Sequence, residues 1–272
     1  MFIDLEKYKD QIKNKLIRSN LIINPEVKNY LRNYKGPFNE ILNKNYYFSE
    51  KNKLPLCQDT GIIEFFFFIN NNDYFNVSLQ DFFDSIVQEV YKENNFRYST
   101  VEDPFINRKN SFDNTPAMIN IIPTKEKSKL AFLIKGGGSE NLSFLKMLKP
   151  TINKDELIKT ISNHIEDNGS RACPPLIVGI GLGGTSEKAM LNSKISLLKN
   201  FNDYNCEEGY DMLEKEIEDR LNNLKIGVQG LKEGKTVLSA KITTLPSHIA
   251  SLALAISVDC YLNRKGVVVF EK

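Results

Sequence analysis

Three of the four cysteines in this 272-residue sequence lie where a loop meets a predicted strand. Cys57 in PLCQDTG and Cys173 in RACPP each come just before such a strand, and Cys260 ends the strand in ISVDC. Residues at the ends of elements can come from distant parts of a chain to form one site. A lone cysteine is more often a small buried apolar residue. Spacing alone does not decide whether these three cysteines form a site or fill the core. Cys206, in the polar stretch DYNCEEG, is predicted to be an exposed bystander.

No two cysteines form a C-x-x-C pair, so the sequence does not support a zinc ribbon or a thioredoxin-type site.

A glycine-rich motif raises the alternative of a dinucleotide-binding loop. The segment RACPPLIVGIGLGGT contains a G-x-G-x-x-G pattern at Gly179, Gly181 and Gly184. A dinucleotide loop also needs an acidic residue about 20 positions further on, at the end of a second strand. No apolar strand leads into Asp203. We therefore expect the glycines to permit a tight strand-to-helix turn, with a Rossmann dehydrogenase as a minor alternative.

Composition excludes several classes of protein. Lys and Arg total 36 against 34 Asp and Glu, and a net charge of +2 gives no electrostatic case for nucleic acid or an anionic membrane as main partner. No stretch approaches the roughly 20 apolar residues that span a bilayer. The N-terminal MFIDLEKYKDQIKNKL lacks the apolar core of a secretion signal. We expect a cytoplasmic protein, in which structural disulfides are rare.

The apolar pattern predicts one α/β (mixed α+β) domain, with a helical region over about residues 1–48 and an α/β body over about 49–272. No internal repeat and no linker divides it. The predicted strands are IIEFFFFI, AMINIIP, KLAFLIK, PLIVGIG, TVLSAKITTLP, ALAISVDC and GVVVFE. The predicted helices of the body are SLQDFFDSIVQEVYKENN, DELIKTISNHIED, TSEKAMLNSKISLLKN and EGYDMLEKEIEDRLNNL.

Four motifs together carry a specific resemblance. PLCQDTG, KGGGSEN, ACPPLIVGIGLGGTSEKA and SHIA…VDC occur in this order, and the chain from about residue 20 to its end resembles the class I fumarase family. The match is to the separate α subunit of two-subunit fumarases and of L-tartrate dehydratases. The resemblance implies a [4Fe–4S] cluster held by Cys57, Cys173 and Cys260, with one iron left to bind substrate. Thiolates are the usual ligands of such clusters, and an open iron can act as a Lewis acid.

The resemblance also implies which residues meet the substrate. Gln58 and Asp59 would contact it, with Asp59 donating the proton to the leaving hydroxyl. Arg97 would hold a carboxylate with its fork of donors. Gly137 would offer a backbone N–H, and His248 would contact the substrate. The DNTPA segment would shape the floor of the pocket.

From the residues alone, Asp59, Arg97 and His248 each have a plainer interpretation. Asp59 precedes Thr-Gly and is typical of a turn. Arg97 is typical of a solvated arginine near the end of a helix. A histidine is more often a packing or surface residue, and His164 is predicted to be one.

The implied activity is that of a hydro-lyase: reversible anti addition of water to fumarate, giving L-malate. The base for the C3 proton and further cationic residues come, in the family, from the β part. The resemblance therefore implies an α₂β₂ assembly and little activity of this chain alone. Two alternatives stay open: an α subunit of L-tartrate dehydratase, and a non-catalytic regulatory subunit that carries a cluster.

Overall fold

The computed structural model describes residues 2–271, and it combines eight α-helices with eight strands in that range. The helices are α1 (Lys9–Leu21), α2 (Pro25–Asn33), α3 (Asn39–Asn52), α4 (Leu79–Glu93), α5 (Gly137–Glu140), α6 (Lys154–Asn168), α7 (Ser186–Leu197) and α8 (Glu208–Asn222). The strands are β1 (Ile62–Asn70), β2 (Met118–Thr124), β3 (Lys129–Lys135), β4 (Phe144–Leu148), β5 (Leu176–Gly183), β6 (Val237–Leu245), β7 (Leu252–Asp259) and β8 (Lys265–Val269). The predicted mixed α+β class is confirmed.

The chain divides into two compact units. The first contains the chain up to Asn24, Lys44–Gly137 and the chain from Arg264 onward, and the second contains Pro25–Asn43 and Gly138–Asn263. Each unit has its own sheet and its own apolar core. That the whole chain behaves as one domain stays a prediction.

In the first unit, four strands lie in the order β2-β1-β3-β8. β1 is parallel to β2 and antiparallel to β3, and β3 is antiparallel to β8. Side chains alternate across a strand, so Ile63, Phe65 and Phe67 of β1 point to one face and pack there with residues of α1 and α4. α4 begins where the sequence predicts, because the Ser78 hydroxyl accepts a hydrogen bond from the Asp81 N–H at 3.5 Å.

In the second unit, the strand order is β4-β7-β5-β6. β5 pairs in parallel with β6 and antiparallel with β7, and β4 pairs antiparallel with β7. Helices α6 and α8 contribute to the same apolar core as Val178 and Ile180 of β5. Helix α7 packs against the glycines of β5. These glycines alternate with Val178 and Ile180 and therefore lie on the opposite face, so the sheet is covered on both faces.

The glycine motif is mainly a packing device. Gly179 and Gly181 lie inside β5 rather than in a loop after it. A Cβ at Gly179 would lie 2.0 Å from the Ser193 carbonyl oxygen, and one at Gly181 would lie 1.9 Å from that of Ala189. The predicted strand-to-helix turn is made by Gly183 and by Gly184, the third glycine of the motif, both with positive φ. A dinucleotide loop would place all these glycines after the strand, so the Rossmann alternative finds no support.

We expect Gly181→Ala to destabilise the fold strongly, because the added methyl group would overlap the backbone of α7. A loss of about 1–3 kcal/mol is typical of overpacking, which lowers the melting temperature by several degrees and is measurable by calorimetry. Gly209→Ala is the matched control, since a Cβ there meets nothing within 4 Å among residues 2–271 and the residue lies in α8. It should leave the melting temperature unchanged or raise it. An equal response of the two variants would contradict the close approach of α7.

Sequence patterns missed one strand. β4 is the edge strand of its sheet, and Leu145, Lys146 and Met147 in its middle are all exposed. Apolar alternation is therefore absent, and only pairing with β7 makes this segment a strand. Among residues 2–271, no helix has the length and apolar character needed to cross a bilayer.

Candidate active site

Asp59 lies in the loop that leads from Cys57 into β1, and its carboxylate is held from several sides. Oδ1 accepts a hydrogen bond from the Gly61 N–H at 3.0 Å, and Oδ2 accepts one from the Gly137 N–H at 2.8 Å. The Ser99 hydroxyl donates a longer bond to Oδ1 at 3.5 Å. The turn expected at Asp-Thr-Gly is thus present, and it also fixes the direction of the carboxylate.

Glycines leave the room that this carboxylate needs. Gly61 has a φ of +77°, and a Cβ there would lie 2.7 Å from the Lys135 carbonyl oxygen. A Cβ at Gly136 would lie 3.0 Å from Oδ2 of Asp59. The KGGGS motif therefore lets backbone approach the carboxylate closely. Gly137 gives its N–H to Asp59, so the predicted bond from Gly137 to substrate stays a prediction.

Gln58 lies in the same loop, Arg97 lies beside Thr60 of that loop, and both side chains are exposed. The Thr60 hydroxyl donates to the Arg97 carbonyl at 2.7 Å, which fixes the Arg97 backbone beside the loop. An exposed guanidinium on a fixed backbone suits the binding of a carboxylate from solution. Arg97 lies beyond the end of α4, so tertiary contacts and not the helix determine its position.

The DNTPA segment braces this loop through Asn114, which is buried. Its Nδ2 donates to the Gly61 carbonyl at 3.1 Å, and its Oδ1 accepts from the Ser99 N–H at 2.7 Å. Gly61 and Ser99 both donate hydrogen bonds to Asp59, and the side chain of Asn114 links these two residues through its own two hydrogen bonds. The motif pointed to this segment, but no local pattern could identify Asn114 as the residue that makes the connection.

Cys57 is half-buried, and the backbone just before it is anchored. The Leu56 N–H donates to the Asn20 carbonyl at 2.8 Å. The Asn45 side chain donates to the Leu56 carbonyl at 2.9 Å. The loop that carries Cys57 is thus tied to α1 and α3, two helices of the N-terminal region.

In the second unit, the segments of Cys173 and Cys260 come together. The Tyr261 N–H donates to the Cys173 carbonyl at 3.4 Å. This follows from the pairing of β5 with β7, which sets Ile177 opposite Asp259. Two of the three predicted ligands are therefore carried by adjacent backbone segments, as a shared site requires.

Each of these two cysteines sits in a defined backbone turn. Cys173 has left-handed dihedrals, φ 52° and ψ 67°, directly after a 3₁₀ turn at Gly169–Ala172. At Cys260, Asp259 Oδ1 accepts the Cys260 N–H at 3.0 Å. Asp259 Oδ2 accepts from the Asn263 side chain at 3.1 Å, and the Asn263 N–H closes the turn on the Cys260 carbonyl at 3.1 Å. Both Asp259 and Asn263 are buried, so the turn is fixed from inside.

None of the four cysteines is buried, and none forms a disulfide. The interpretation of a small residue filling the core therefore does not hold for any of them, and Cys206 is exposed as predicted. Across residues 2–271, no three His, Cys, Asp or Glu side chains are grouped so that they could hold a metal ion. A four-iron cluster bonds each thiolate to a different iron, so its ligands need not converge on one point. The donor chemistry at the three positions fits such a cluster.

The two histidines differ in their surroundings. His164 is a packing residue, as predicted: Nε2 lies 2.8 Å from the Leu142 carbonyl, and the ring stacks on Phe144 at 4.6 Å. His248 is exposed after β6, and its Nδ1 accepts the Ala250 N–H at 3.1 Å. In the neutral ring this contact leaves the proton on Nε2, which is then the donor available to a ligand.

Residues 26–269 match the model of the fumarate hydratase (fumerase) family, and the chain belongs to that family. A relative from Methanocaldococcus jannaschii, provisionally named L(+)-tartrate dehydratase subunit alpha, is 32% identical over 270 residues, which cover 93% of this chain and 94% of the relative. The L(+)-tartrate dehydratase subunit alpha of Escherichia coli K12 is 28% identical over 217 residues, covering 79% of this chain and 72% of that one. The similarity to a hydro-lyase α subunit thus extends over most of the sequence.

Proposed function

We propose that this chain is the α subunit of an iron–sulfur hydro-lyase that interconverts fumarate and L-malate in the cytoplasm. The observation that carries the proposal is the Asp59 carboxylate, which is oriented by the N–H groups of Gly61 and Gly137 only two residues after Cys57. The membership of the fumarate hydratase family supports the reaction class.

In this proposal Cys57, Cys173 and Cys260 hold a [4Fe–4S] cluster. None of the three thiols is buried in the core or bound in a disulfide. Cys173 and Cys260 lie on backbone segments that are next to each other. When bound, a cluster with one iron lacking a protein ligand supplies a Lewis acid for the hydroxyl and a carboxylate of the substrate.

In this proposal, side chains of the first unit bind the substrate and protonate its leaving hydroxyl. In its protonated form Asp59 gives a proton to the hydroxyl that leaves as water and is left as the carboxylate, a role worth roughly 10²–10⁴ in rate for a well-placed general acid. Arg97 holds a substrate carboxylate through its fork of donors, and Gln58 contacts the substrate next to it. Gly137 offers its N–H to the substrate in exchange for its bond to Asp59.

His248 supplies a further polar contact. Because Nδ1 is occupied by the Ala250 N–H, the ring offers Nε2–H to a substrate oxygen. The contribution of such positioned donors is to hold a small dianion in one orientation.

A β-type partner completes the proposal. The relatives are named as alpha subunits, which supports a second subunit for this chain as well. We propose that this partner provides the base for the C3 proton and further cationic groups in an α₂β₂ complex. The chain alone should then show little or no activity.

A second candidate function is supported by the same names, since both relatives are called L(+)-tartrate dehydratase subunits. L-Tartrate differs from L-malate by one hydroxyl, and a site that hydrogen-bonds that hydroxyl would reject the substrate lacking it. A third candidate is a regulatory subunit that carries a cluster and has no catalytic activity.

The deciding experiment is anaerobic co-expression with a β subunit, followed by assays on L-malate, fumarate and L-tartrate. We expect kcat/KM for L-malate to exceed that for L-tartrate. The reverse order would assign the chain to the tartrate enzymes. A complex that contains the cluster but turns over none of these diacids would contradict both enzyme proposals and favour the regulatory one.

A further inference from the structure

A buried arginine lies behind the Asp59 loop. Arg264 is 4% exposed and immediately precedes β8. Its Nη1 donates to the Asp59 carbonyl at 2.8 Å and to Oδ1 of Asn20 at 2.8 Å. A buried charge is costly unless it is well paired, so these bonds fix the guanidinium and its partners in one arrangement.

Asn20 extends this anchor to the other end of the loop. It is fully buried in α1, and its carbonyl accepts the Leu56 N–H at 2.8 Å. The backbone is therefore held at Leu56 by Asn20 and at Asp59 by Arg264. Between these two anchored points lie Cys57 and Gln58, so the whole run of proposed functional residues is clamped at both ends.

Arg264 holds the Asp59 backbone, and the carboxylate of Asp59 is bound by other groups. Nη2 of Arg264 would lie 3.7 Å from a Cβ at Gly136, and the same Cβ would lie 3.0 Å from Oδ2 of Asp59. The guanidinium and the carboxylate thus both lie close to Gly136. Nε of Arg264 is buried without a hydrogen-bond partner in the described part of the chain. A buried unsatisfied donor costs stability, so packing alone does not account for an arginine here.

We propose that Arg264 is a positioning residue for the reaction. By holding the Asp59 carbonyl, it keeps the carboxylate aligned on the N–H groups of Gly61 and Gly137 and keeps Cys57 in place. The role rests on the proposed function for its effect on catalysis, but its effect on the loop concerns the chain itself. Neither the charge pattern nor the spacing of YLNRK indicates this role.

The test compares Arg264→Met and Arg264→Lys with Arg18→Met, which removes an exposed arginine from the same helix as Asn20. The first readout is hydrogen exchange of the peptide that covers residues 56–61, measured on the chain alone. We expect exchange of this peptide to rise at least about tenfold in Arg264→Met, while the β1 and α4 peptides keep their protection. Arg18→Met should match the wild type throughout.

The second readout is kinetic and uses the complex with a β subunit. A misplacement of about 1 Å can cost roughly 10²-fold in rate, so we expect kcat of Arg264→Lys to fall by about 10- to 100-fold with KM changed less than about threefold. Addition of guanidinium to Arg264→Ala should restore part of kcat.

The outcomes distinguish the positioning role of Arg264 from the proposed hydro-lyase function. Unchanged exchange of peptide 56–61 in Arg264→Met would overturn the positioning role, whatever the reaction is. Raised exchange across the whole first unit would assign Arg264 to general stability and also overturn it. If the wild-type complex has no hydro-lyase activity while the local exchange effect is present, the proposed function fails and the anchoring of the loop stands.

Discussion

Serine in place of Cys57 or Cys173 is expected to abolish cluster binding. Serine keeps the size of the side chain but replaces the thiolate, the ligand that iron–sulfur clusters require. Anaerobically purified wild-type chain should contain about four irons and show the broad visible absorbance of a cluster, and each variant should lose both. Activity of the complex should fall by well over the roughly 100-fold that even outer-shell changes at metal sites produce.

Cys206→Ser is the matched control, because Cys206 is exposed and belongs to none of the three predicted ligand positions. It should keep the full iron content and activity. Cys260→Ser should behave as Cys57→Ser does, since Tyr261 ties its segment to Cys173. Thermal melting of the cluster-free chains should show that none of the serines unfolds the protein, as no cysteine is in the core. Retention of the cluster in any of the three ligand variants would refute the proposed ligand set.

Asp59→Asn is expected to reduce kcat by about 10²–10⁴-fold while the cluster remains bound. The amide keeps the size of the side chain and can still accept the Gly61 N–H through its oxygen, but it cannot give a proton to the leaving hydroxyl. Its NH₂ group would also face the Gly137 N–H, which now donates to Oδ2. Iron content should equal that of the wild type, because the change leaves all three thiols in place.

The control for this variant is Asp103→Asn. Asp103 also uses its carboxylate to organise a loop, since Oδ1 accepts the N–H groups of Phe105, Ile106 and Asn107. Those bonds, above all the one from Phe105, lower the pKa of Asp103. If both variants lost activity equally, general disturbance of loops would explain the result. If Asp59→Asn kept its kcat, Asp59 would be a structural turn residue and another group would protonate the substrate.

Much of the fold follows from local patterns. The predicted strands from IIEFFFFI to GVVVFE and the four predicted helices of the body lie where the apolar runs and the helical apolar periodicity place them, because burial selects apolar side chains at those positions. The helical start was expected to about residue 48, and α3 continues to Asn52. The exceptions are β4, an edge strand whose middle residues are exposed, and the four-residue helix α5 in the KGGGSEN motif, which no apolar pattern predicts.

The site divides in the same way. The motifs pointed to Cys57, Asp59 and the KGGGS glycines as candidate site residues, through their types and their neighbours in sequence. They could not show that Gly137 binds Asp59, that Asn114 joins Gly61 to Ser99, or that Gly179 and Gly181 serve to bring α7 onto β5.

What the sequence by itself determined is therefore the set of candidate reactive groups, the order of most of the elements and the family to which the chain belongs. Only the tertiary structure decided how the Asp59 loop is held. Arg264 lies 205 positions from Asp59 and 244 from Asn20, and no periodicity relates residues so far apart. Such contacts arise when the strand pairings of β1, β3 and β8 fix the backbone in space, and a buried charge then accepts only the partners that this arrangement brings to it.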